Sequence, residues 1–514
     1  MHEPTHEAYD VVIVGAGIVG AMVARALAKY DLRILWLEKE SDICTGASSA
    51  NSAIIHGGYD ALPGTLKAAM NVRGNAMWDA LASELHFDFD RCGTYVVAVG
   101  EEERHALQEL ERRGIANGVP VEIISGEEMR RREPAINPNT SGALYCPTGG
   151  ICDPWGATIA AGENAVMNGV TLLRRTRFQD FVWDPADPRR IVGVRTDRGV
   201  FRTRWVVNAA GLYADAVMHR AGVRPEFTIT PRRGEYYVLD QNQFQIHNVL
   251  FPVPSEVSKG ILVTTTTHGN AIIGPNAQEI EDKEDTAVTP EGLDEVWRGA
   301  QKLVPSLNRR HVIAIFAGLR PGGNAPSPNP AIDYHRDFVI EIPDQVRGFV
   351  NLGGIESPGL TAAPAIAERV VEMLRDAGEE LCVKRTWDPI RPARPVFRRL
   401  SYEQRAELVR QDPRYGRIIC RCETVTEGEI VAAIHAPIPA DTYDAIKRRT
   451  WLGTGRCQGA FDMPRVVEIL ARELPVDPLQ VTKKGPGSEF LARETKDTAA
   501  GEADAGNGAT EDAG

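Results

Sequence analysis

The feature that most constrains this chain lies in its first forty residues. There a buried apolar run, a glycine turn, an Ala-rich helix and a second apolar run follow one another. Residues 11–14 read as a strand, Gly15-Ala16-Gly17-Ile18-Val19-Gly20 as the turn, residues 21–28 as the helix and residues 34–37 as a strand ending at Glu38. Gly15 permits the tight turn, Gly17 lets backbone approach a pyrophosphate, and Gly20 lets the helix pack close to the sheet. The helix N-terminus offers N–H groups and partial positive charge to phosphates. Glu38, 18 residues past Gly20, is placed to accept hydrogen bonds from an adenosine ribose. A G-x-G-x-x-G alone is a weak signal, compatible with a glycine turn in an ordinary α/β unit. With both strands, the helix and the terminal acid present, it predicts a dinucleotide-binding βαβ unit.

At 514 residues the chain has room for two or three domains with sizeable cores. A hydrophobic content of 43% with 25% charged residues is that of a soluble globular protein. No apolar run approaches the roughly 18–20 residues of a membrane span, and no signal-peptide pattern precedes Tyr9. Peripheral membrane contact stays open. The formal charge of −12 argues against nucleic acid while leaving room for a local basic pocket. Eight cysteines in so long a chain do not read as a disulfide framework, and a cytoplasmic location is expected.

Residues 1–8 form a polar tail, and residues 41–65 a Gly/Ser/Ala-rich loop. Residues 66–85 read as one helix, from Leu66, Met70, Met77, Leu81 and Leu85. Strand-like runs at 95–99, 191–194, 236–239 and 261–266 alternate with polar helices such as 101–113, predicting an antiparallel sheet inserted into the dinucleotide fold. A Pro/Arg-rich connector at 388–395 lies within a linker read as 381–409. A compact module at 410–475 follows, and residues 476–514 are expected to be a disordered tail.

FAD and NAD folds share the first fingerprint, so later segments decide between them. Residues 205–215 (WVVNAAGLYAD) resemble the second FAD-contact segment of glutathione-reductase-like flavoproteins. Gly149-Gly150-Ile151-Cys152-Asp153-Pro154 resembles the glycine turn and helix that open the substrate half of the D-amino-acid-oxidase superfamily. A strand at 349–352 leads into Gly353-Gly354-Ile355-Glu356-Ser357-Pro358-Gly359-Leu360 and a helix from about Thr361. A helix N-terminus aimed at the flavin would stabilise negative charge on the reduced ring. The expectation is FAD in a mixed α/β and α+β protein: a glutathione-reductase-like Rossmann fold with an inserted antiparallel-sheet substrate domain over 9–380.

The loop 48–67, SSANSAIIHGGYDALPGTLK, narrows the resemblance to the FAD-dependent glycerol-3-phosphate oxidase/dehydrogenase family, near the L-2-hydroxyglutarate oxidases. The match continues through PRRGEYY at 231–237, GNAIIGP at 269–275 and FAGLRP at 316–321. Alcohol oxidation needs a base for the hydroxyl proton, and a histidine, with an ordinary pKa of about 6.5, suits that task. The resemblance puts His56 at the active site; the plainer alternative is a histidine that only hydrogen-bonds loop backbone. It also implies flavin-side positions for Ser48, Ser52, Gly211, Gly354, Ser357, Gly359, Leu360 and Thr361. Arg320, read in a Gly-Leu-Arg-Pro turn after a strand at 312–316, can fork two hydrogen bonds onto a phosphate or carboxylate. Lys259 matches a substrate-pocket lysine of the resembled oxidases, and Tyr237 is a weaker candidate for a pocket wall.

Cys420-Arg421-Cys422, then GTGRCQGAF with Cys457, resembles the bacterioferritin-associated-ferredoxin-like (BFD-like) [2Fe-2S] domain. That family pattern places a fourth cysteine five residues beyond the third, where this chain has Asp462. A carboxylate is a harder donor than a thiolate, so the set is either Cys3Asp or a module with a labile cluster or none, with zinc a lesser alternative.

The expected activity is FAD-dependent oxidation of a small anionic 2-hydroxy compound: sn-glycerol 3-phosphate first, L-2-hydroxyglutarate or another 2-hydroxy or imino acid second. A non-catalytic flavin/Fe–S electron-transfer subunit is the alternative of another class. Oxygen, quinone and a partner protein all remain open as the electron acceptor.

Overall fold

A computed structural model describes residues 8–254, 260–324 and 336–494. The chain divides into two compact units. One runs through Pro395, with the short segments Ala436–Ile438 and Thr454–Gln458. The other comprises Val396–His435, Pro439–Gly453 and the chain from Gly459.

The first unit is built on an eight-stranded sheet. Its parallel part runs Thr171–Leu173, Ile34–Leu37, Ala8–Val14, Gly199–Asn208 and Phe349–Gly353, and an antiparallel hairpin, Phe178–Asp184 with Asp187–Thr196, extends it. The central segments, residues 11–14 and Ile34–Leu37, are apolar and buried because both faces are covered. Val11, Ile13, Ile34 and Trp36 point into a core with the helices Ile18–Ala28, Pro154–Met167 and Gly359–Asp376. Val12, Val14, Leu35 and Leu37 point the other way, onto Phe181, Val217, Met218 and Phe349. The helix Pro154–Met167 thus packs under the dinucleotide sheet, although its glycine-turn entry suggested the substrate half.

Among the described residues the second sheet has nine strands, and only one of its pairs, Val249–Pro252 with Thr94–Val99, is parallel. Its longest ladder joins Ile229–Leu239 to Val312–Gly323, and the helix Pro290–Leu303 covers one face through Val296, Trp297, Ala300 and Leu303. A small three-stranded sheet, Ile54–Ile55, Gly150–Cys152 and Phe89–Asp90, carries the loop around His56.

Three expectations are corrected. Residues 66–85 form two helices, Leu66–Asn75 and Trp78–Leu85, separated by a turn at Ala76 and Met77 in which the Met77 N–H donates to the Gly74 carbonyl at 3.0 Å. The 381–409 stretch is not linker throughout. Residues 388–395 are bonded to the first unit, with Asn164 Nδ2 donating to the Asp388 carbonyl at 3.1 Å and Arg391 Nε to buried Glu163 at 2.8 Å. Past residue 395 the chain forms a 3-10 turn, Phe397–Arg399, and a helix, Tyr402–Gln411, with a Ser401/Gln404 capping box. Residues 476–494 are also ordered: a 3-10 turn at Pro478–Gln480 precedes buried Val481, and Phe490 packs on Tyr443. Low apolar content hid these few anchors. Residues 1–7 and 495–514 lie outside the described residues.

The second unit is a small helical module. A two-stranded ribbon, Ile418–Cys420 with Val425–Thr426, leads into helices Glu427–Ile434, Tyr443–Thr450 and Met463–Glu473 around Ile430, Ile446, Leu452, Val466 and Leu470. Among the described residues no helix is long and apolar enough to cross a membrane.

Candidate active site

The dinucleotide cradle is fixed by close backbone approaches. Gly15 has φ +102°, and a Cβ there would strike the Ala209 carbonyl; a Cβ on Gly20 would strike the Gly15 carbonyl. Gly17 begins the helix without a side-chain cap, and the loop supplies one instead: Ser48 Oγ accepts the Ile18 N–H at 2.9 Å. A Cβ on Gly17 would crowd that hydroxyl, so the mouth of the cradle tolerates backbone only. Glu38 stands at the end of its strand with one oxygen on the Ala16 N–H (2.8 Å) and the other on the Glu40 N–H (2.9 Å). Burial raises its carboxyl above the ordinary value, and these two N–H donors work against that rise. Glu38 therefore shapes the glycine turn itself, with lone pairs remaining for a ribose. Gly211, φ +57°, turns the chain after the neighbouring parallel strand and faces open space.

His56 is held by its backbone at both ends. Its N–H donates to Thr361 Oγ1 at 2.9 Å, and its carbonyl accepts from Asn75 Nδ2 at 2.9 Å. Gly57 lets the turn pass against Cys146, where a Cβ would collide with the sulfur. The imidazole lies 5.9 Å from the Phe251 ring, centroid to centroid, and its Nε2 is 3.4 Å from Ser357 Oγ. The Thr361 hydroxyl holds His56 in place, and the residue is fully buried. Gly359 and Leu360 begin the helix after Pro358, which gives it no side-chain cap, and Gly354 turns with φ +64°.

Arg320 is not in a turn. Its strand runs on to Gly323 because Ile229–Leu239 pairs with it along its whole length, setting Arg320 directly opposite Arg232. On the same face Tyr236 stacks on Phe316 at 4.5 Å and hydrogen-bonds Ser52, and Gly318 lies against the Ala50 carbonyl. Tyr237, of opposite parity, packs edge-on against Trp297 and belongs to the core. Arg320 donates to the Asn276 carbonyl at 2.7 Å, and Glu356 pairs with Lys67 at 2.8 Å and Arg232 at 4.0 Å. Burial works to raise the Glu356 carboxyl, but Lys67, Arg232 and Arg320 more than offset it and hold the group below its usual range. Burial lowers Arg320, with Arg232 adding to the effect and Tyr236 and Glu356 opposing it. Lys259 lies outside the described residues.

The sequence reading missed Lys67, Arg232, Tyr236, Phe251 and Glu356. Lys67 and Glu356 stand inside motifs already singled out. Strand parity could have chosen Tyr236 over Tyr237 once Arg320 was placed in a strand.

A Rossmann cradle joined to a β-sheet domain, with a histidine loop beneath a cationic sheet face, defines a flavin oxidoreductase. The FAD dependent oxidoreductase family matches residues 10–373, and the chain belongs to that family. A BFD-like [2Fe-2S] binding domain matches residues 418–472. The chain is 44% identical over 492 residues to the glycerol 3-phosphate dehydrogenase of Caloramator mitchellensis, covering 95% of this chain and 99% of that protein. The dithionite-reduced L-alpha-glycerophosphate oxidase of Mycoplasma pneumoniae with FAD bound superposes with a TM-score of 0.69 at 32% identity, over 76% of this chain and 99% of the other. A mitochondrial L-2-hydroxyglutarate dehydrogenase of Arabidopsis thaliana is 30% identical over 407 residues, 71% of this chain and 83% of that one. The backbone-only mouth at Gly17 and the buried Glu38 carboxylate fit the phosphates and ribose of FAD.

The cysteine module fits its group less well. Cys420 is buried, Cys422 exposed and Cys457 half-buried. Asp462 is fully buried and starts the helix Met463–Glu473, yet its carboxylate does not cap that helix; Oδ1 accepts the Tyr443 hydroxyl at 2.6 Å. Gly453 and Gly459 both lack the Cβ that would block that phenol. Burial pushes the Cys420 thiol up to about 12, and Asp462 adds in the same direction. Among the described residues no three Cys, His, Asp or Glu side chains gather as a metal-binding group. Only one oxygen of the residue in the fourth ligand position is taken by that hydrogen bond; among the described residues its Oδ2 is buried without a hydrogen-bond partner, so the position offers a hard carboxylate oxygen where the family pattern has a thiolate, and the set does not fit an all-thiolate cluster.

Proposed function

We propose that this protein oxidises sn-glycerol 3-phosphate to dihydroxyacetone phosphate, with His56 as the base for the 2-hydroxyl proton. The observation that carries this reading is the placement of His56: backbone locked by Thr361 and Asn75, Nε2 toward Ser357, whose neighbour Glu356 pairs with Lys67 and Arg232. Gly15, Gly17, Gly20, Glu38, Ser48 and the turn at Gly211 hold the dinucleotide, and the segment Gly354–Leu360 with Ser52 faces the ring. Bound FAD supplies the acceptor for the hydride leaving the substrate's second carbon. His56 takes the hydroxyl proton, Ser357 orients the imidazole or the hydroxyl, and Arg320 binds the anionic end of the substrate. Fixing base and substrate on rigid elements lowers the entropic cost of alignment. The relatives' substrates support the phosphate ester first and L-2-hydroxyglutarate second. Eight cysteines without a disulfide among the described residues support a cytoplasmic location.

Purified protein is expected to be yellow with noncovalent FAD. Anaerobic sn-glycerol 3-phosphate is expected to bleach the flavin band. Bleaching by L-2-hydroxyglutarate alone would transfer the assignment to that substrate. Bleaching by neither would make the chain an electron-transfer subunit.

A further inference from the structure

Arg232 and Arg320 face each other across two paired strands, side chains on one face of the sheet. Like charges in that position repel and destabilise a ladder, so the pairing needs a cause beyond packing. The floor around them is stripped of side chains. Gly234 and Gly318 form the next pair on that face of the ladder, and Gly322 lies two residues beyond Arg320. A Cβ on Gly234 would come 3.3 Å from Arg320 Nη2, and one on Gly322 would come 3.2 Å from Arg336 Nη1 and 3.5 Å from Glu356 Oε2. Two donors here are buried and, among the described residues, without a hydrogen-bond acceptor: Arg320 Nε and Arg336 Nη1. Arg232 itself holds Glu279 at 3.3 Å and Glu356 at only 4.0 Å. The face is a glycine-floored set of guanidiniums with more donors than acceptors.

We propose that Arg232 is the second arm of the substrate clamp: with Arg320 it grips the oxygens of a phosphomonoester, and Glu356 is the internal counter-anion of the pair until substrate arrives. Two planar forks match the several oxygens and double charge of a phosphate, whereas a single carboxylate satisfies only one fork. This rests on the reading of the site given above, and it makes the cation pair the device that separates phosphate esters from 2-hydroxy acids.

The test uses FAD-replete wild type, Arg232→Gln and Arg232→Lys. Inorganic phosphate is the probe, against acetate at equal ionic strength, read by the flavin spectrum and by thermal protection. Phosphate is expected to protect wild type more than acetate, Arg232→Gln to lose that advantage, and Arg232→Lys to keep part of it. In turnover, Arg232→Gln is expected to raise KM for sn-glycerol 3-phosphate about 10- to 100-fold, the worth of charged hydrogen bonds, with a smaller change in kcat. KM for L-2-hydroxyglutarate is expected to move much less. Equal losses on phosphate and carboxylate substrates, or wild-type phosphate binding in Arg232→Gln, would overturn the clamp. If phosphate binding depends on Arg232 but glycerol 3-phosphate never reduces the flavin, the clamp stands and the proposed activity falls. Should Arg232→Gln lose its FAD or fold, Arg232→Lys decides the matter, and unaltered phosphate affinity in that variant overturns the clamp.

Discussion

The hydroxyl of Thr361, three residues into its helix, accepts the backbone N–H of His56, 305 positions earlier in the chain, at 2.9 Å. One hydrogen bond thus couples the loop that carries His56, the proposed base, to the helix Gly359–Asp376. Thr361→Val keeps the shape and removes the acceptor, stranding a buried N–H at a cost of about 1–3 kcal/mol. Flavin reduction is expected to slow about tenfold with FAD content unchanged, and Thr361→Ser to restore it. Stopped-flow reduction of the three proteins checks this.

His56→Ala is expected to leave FAD bound, because the Gly15–Gly20 turn, Glu38 and Ser48 are fixed by backbone and side-chain contacts of their own. It should slow flavin reduction about 10²–10⁴-fold, the usual contribution of a general base. A folded, FAD-replete variant reducing at the wild-type rate would remove His56 from proton transfer.

Glu356 gives a dependence on pH. Its carboxyl sits below its ordinary 4.5 in the folded state. A depressed acid contributes stability that is fully present above the unfolded value and is lost as pH falls through the lower folded value. The melting-temperature gap between wild type and Glu356→Gln should therefore be steady above about pH 5.5 and narrow progressively once the pH drops below 4.5. A gap that holds constant down to acid unfolding would contradict the charge network.

At the C-terminal module, Asp462→Cys combined with Tyr443→Phe is expected to raise iron and sulfide content and visible absorbance above wild type. The phenol no longer holds the position, and a soft ligand replaces a hard one. Anaerobically prepared wild type should carry substoichiometric iron. Reduction of the flavin by substrate should be unchanged in the double variant. Full iron in wild type would show that Asp462 ligates despite its bond to Tyr443.

What the sequence made legible was local. The glycine turn, the first helix, both early strands and Glu38 sit within thirty residues, and their spacing reports the βαβ unit directly. His56 was singled out by the proton-accepting chemistry of its imidazole and by the resemblance of its loop to the glycerol-3-phosphate oxidase/dehydrogenase family. The cationic face did not stand out, because Arg232 and Arg320 meet only through a ladder whose register joins segments nearly ninety residues apart. Arg320 was assigned to a turn because Gly-Leu-Arg-Pro-Gly-Gly carries turn residues, yet a full-length partner strand overrode local propensity. The bond from His56 to Thr361 was not legible either, since motif resemblance locates a residue but not the direction of its hydroxyl.

The strap at 388–395 bears on where this chain can be shortened. Arg391 and Arg394 both reach back to Glu163, whose side chain is 1% exposed on the helix under the dinucleotide sheet. A cut at residue 380 would leave that carboxylate buried without its cations, a loss of about 3–5 kcal/mol placed directly beneath the flavin cradle. A shortened flavoprotein half therefore has to keep the chain through Pro395; the Pro/Arg segment that looks like spacer is a structural piece of the catalytic half.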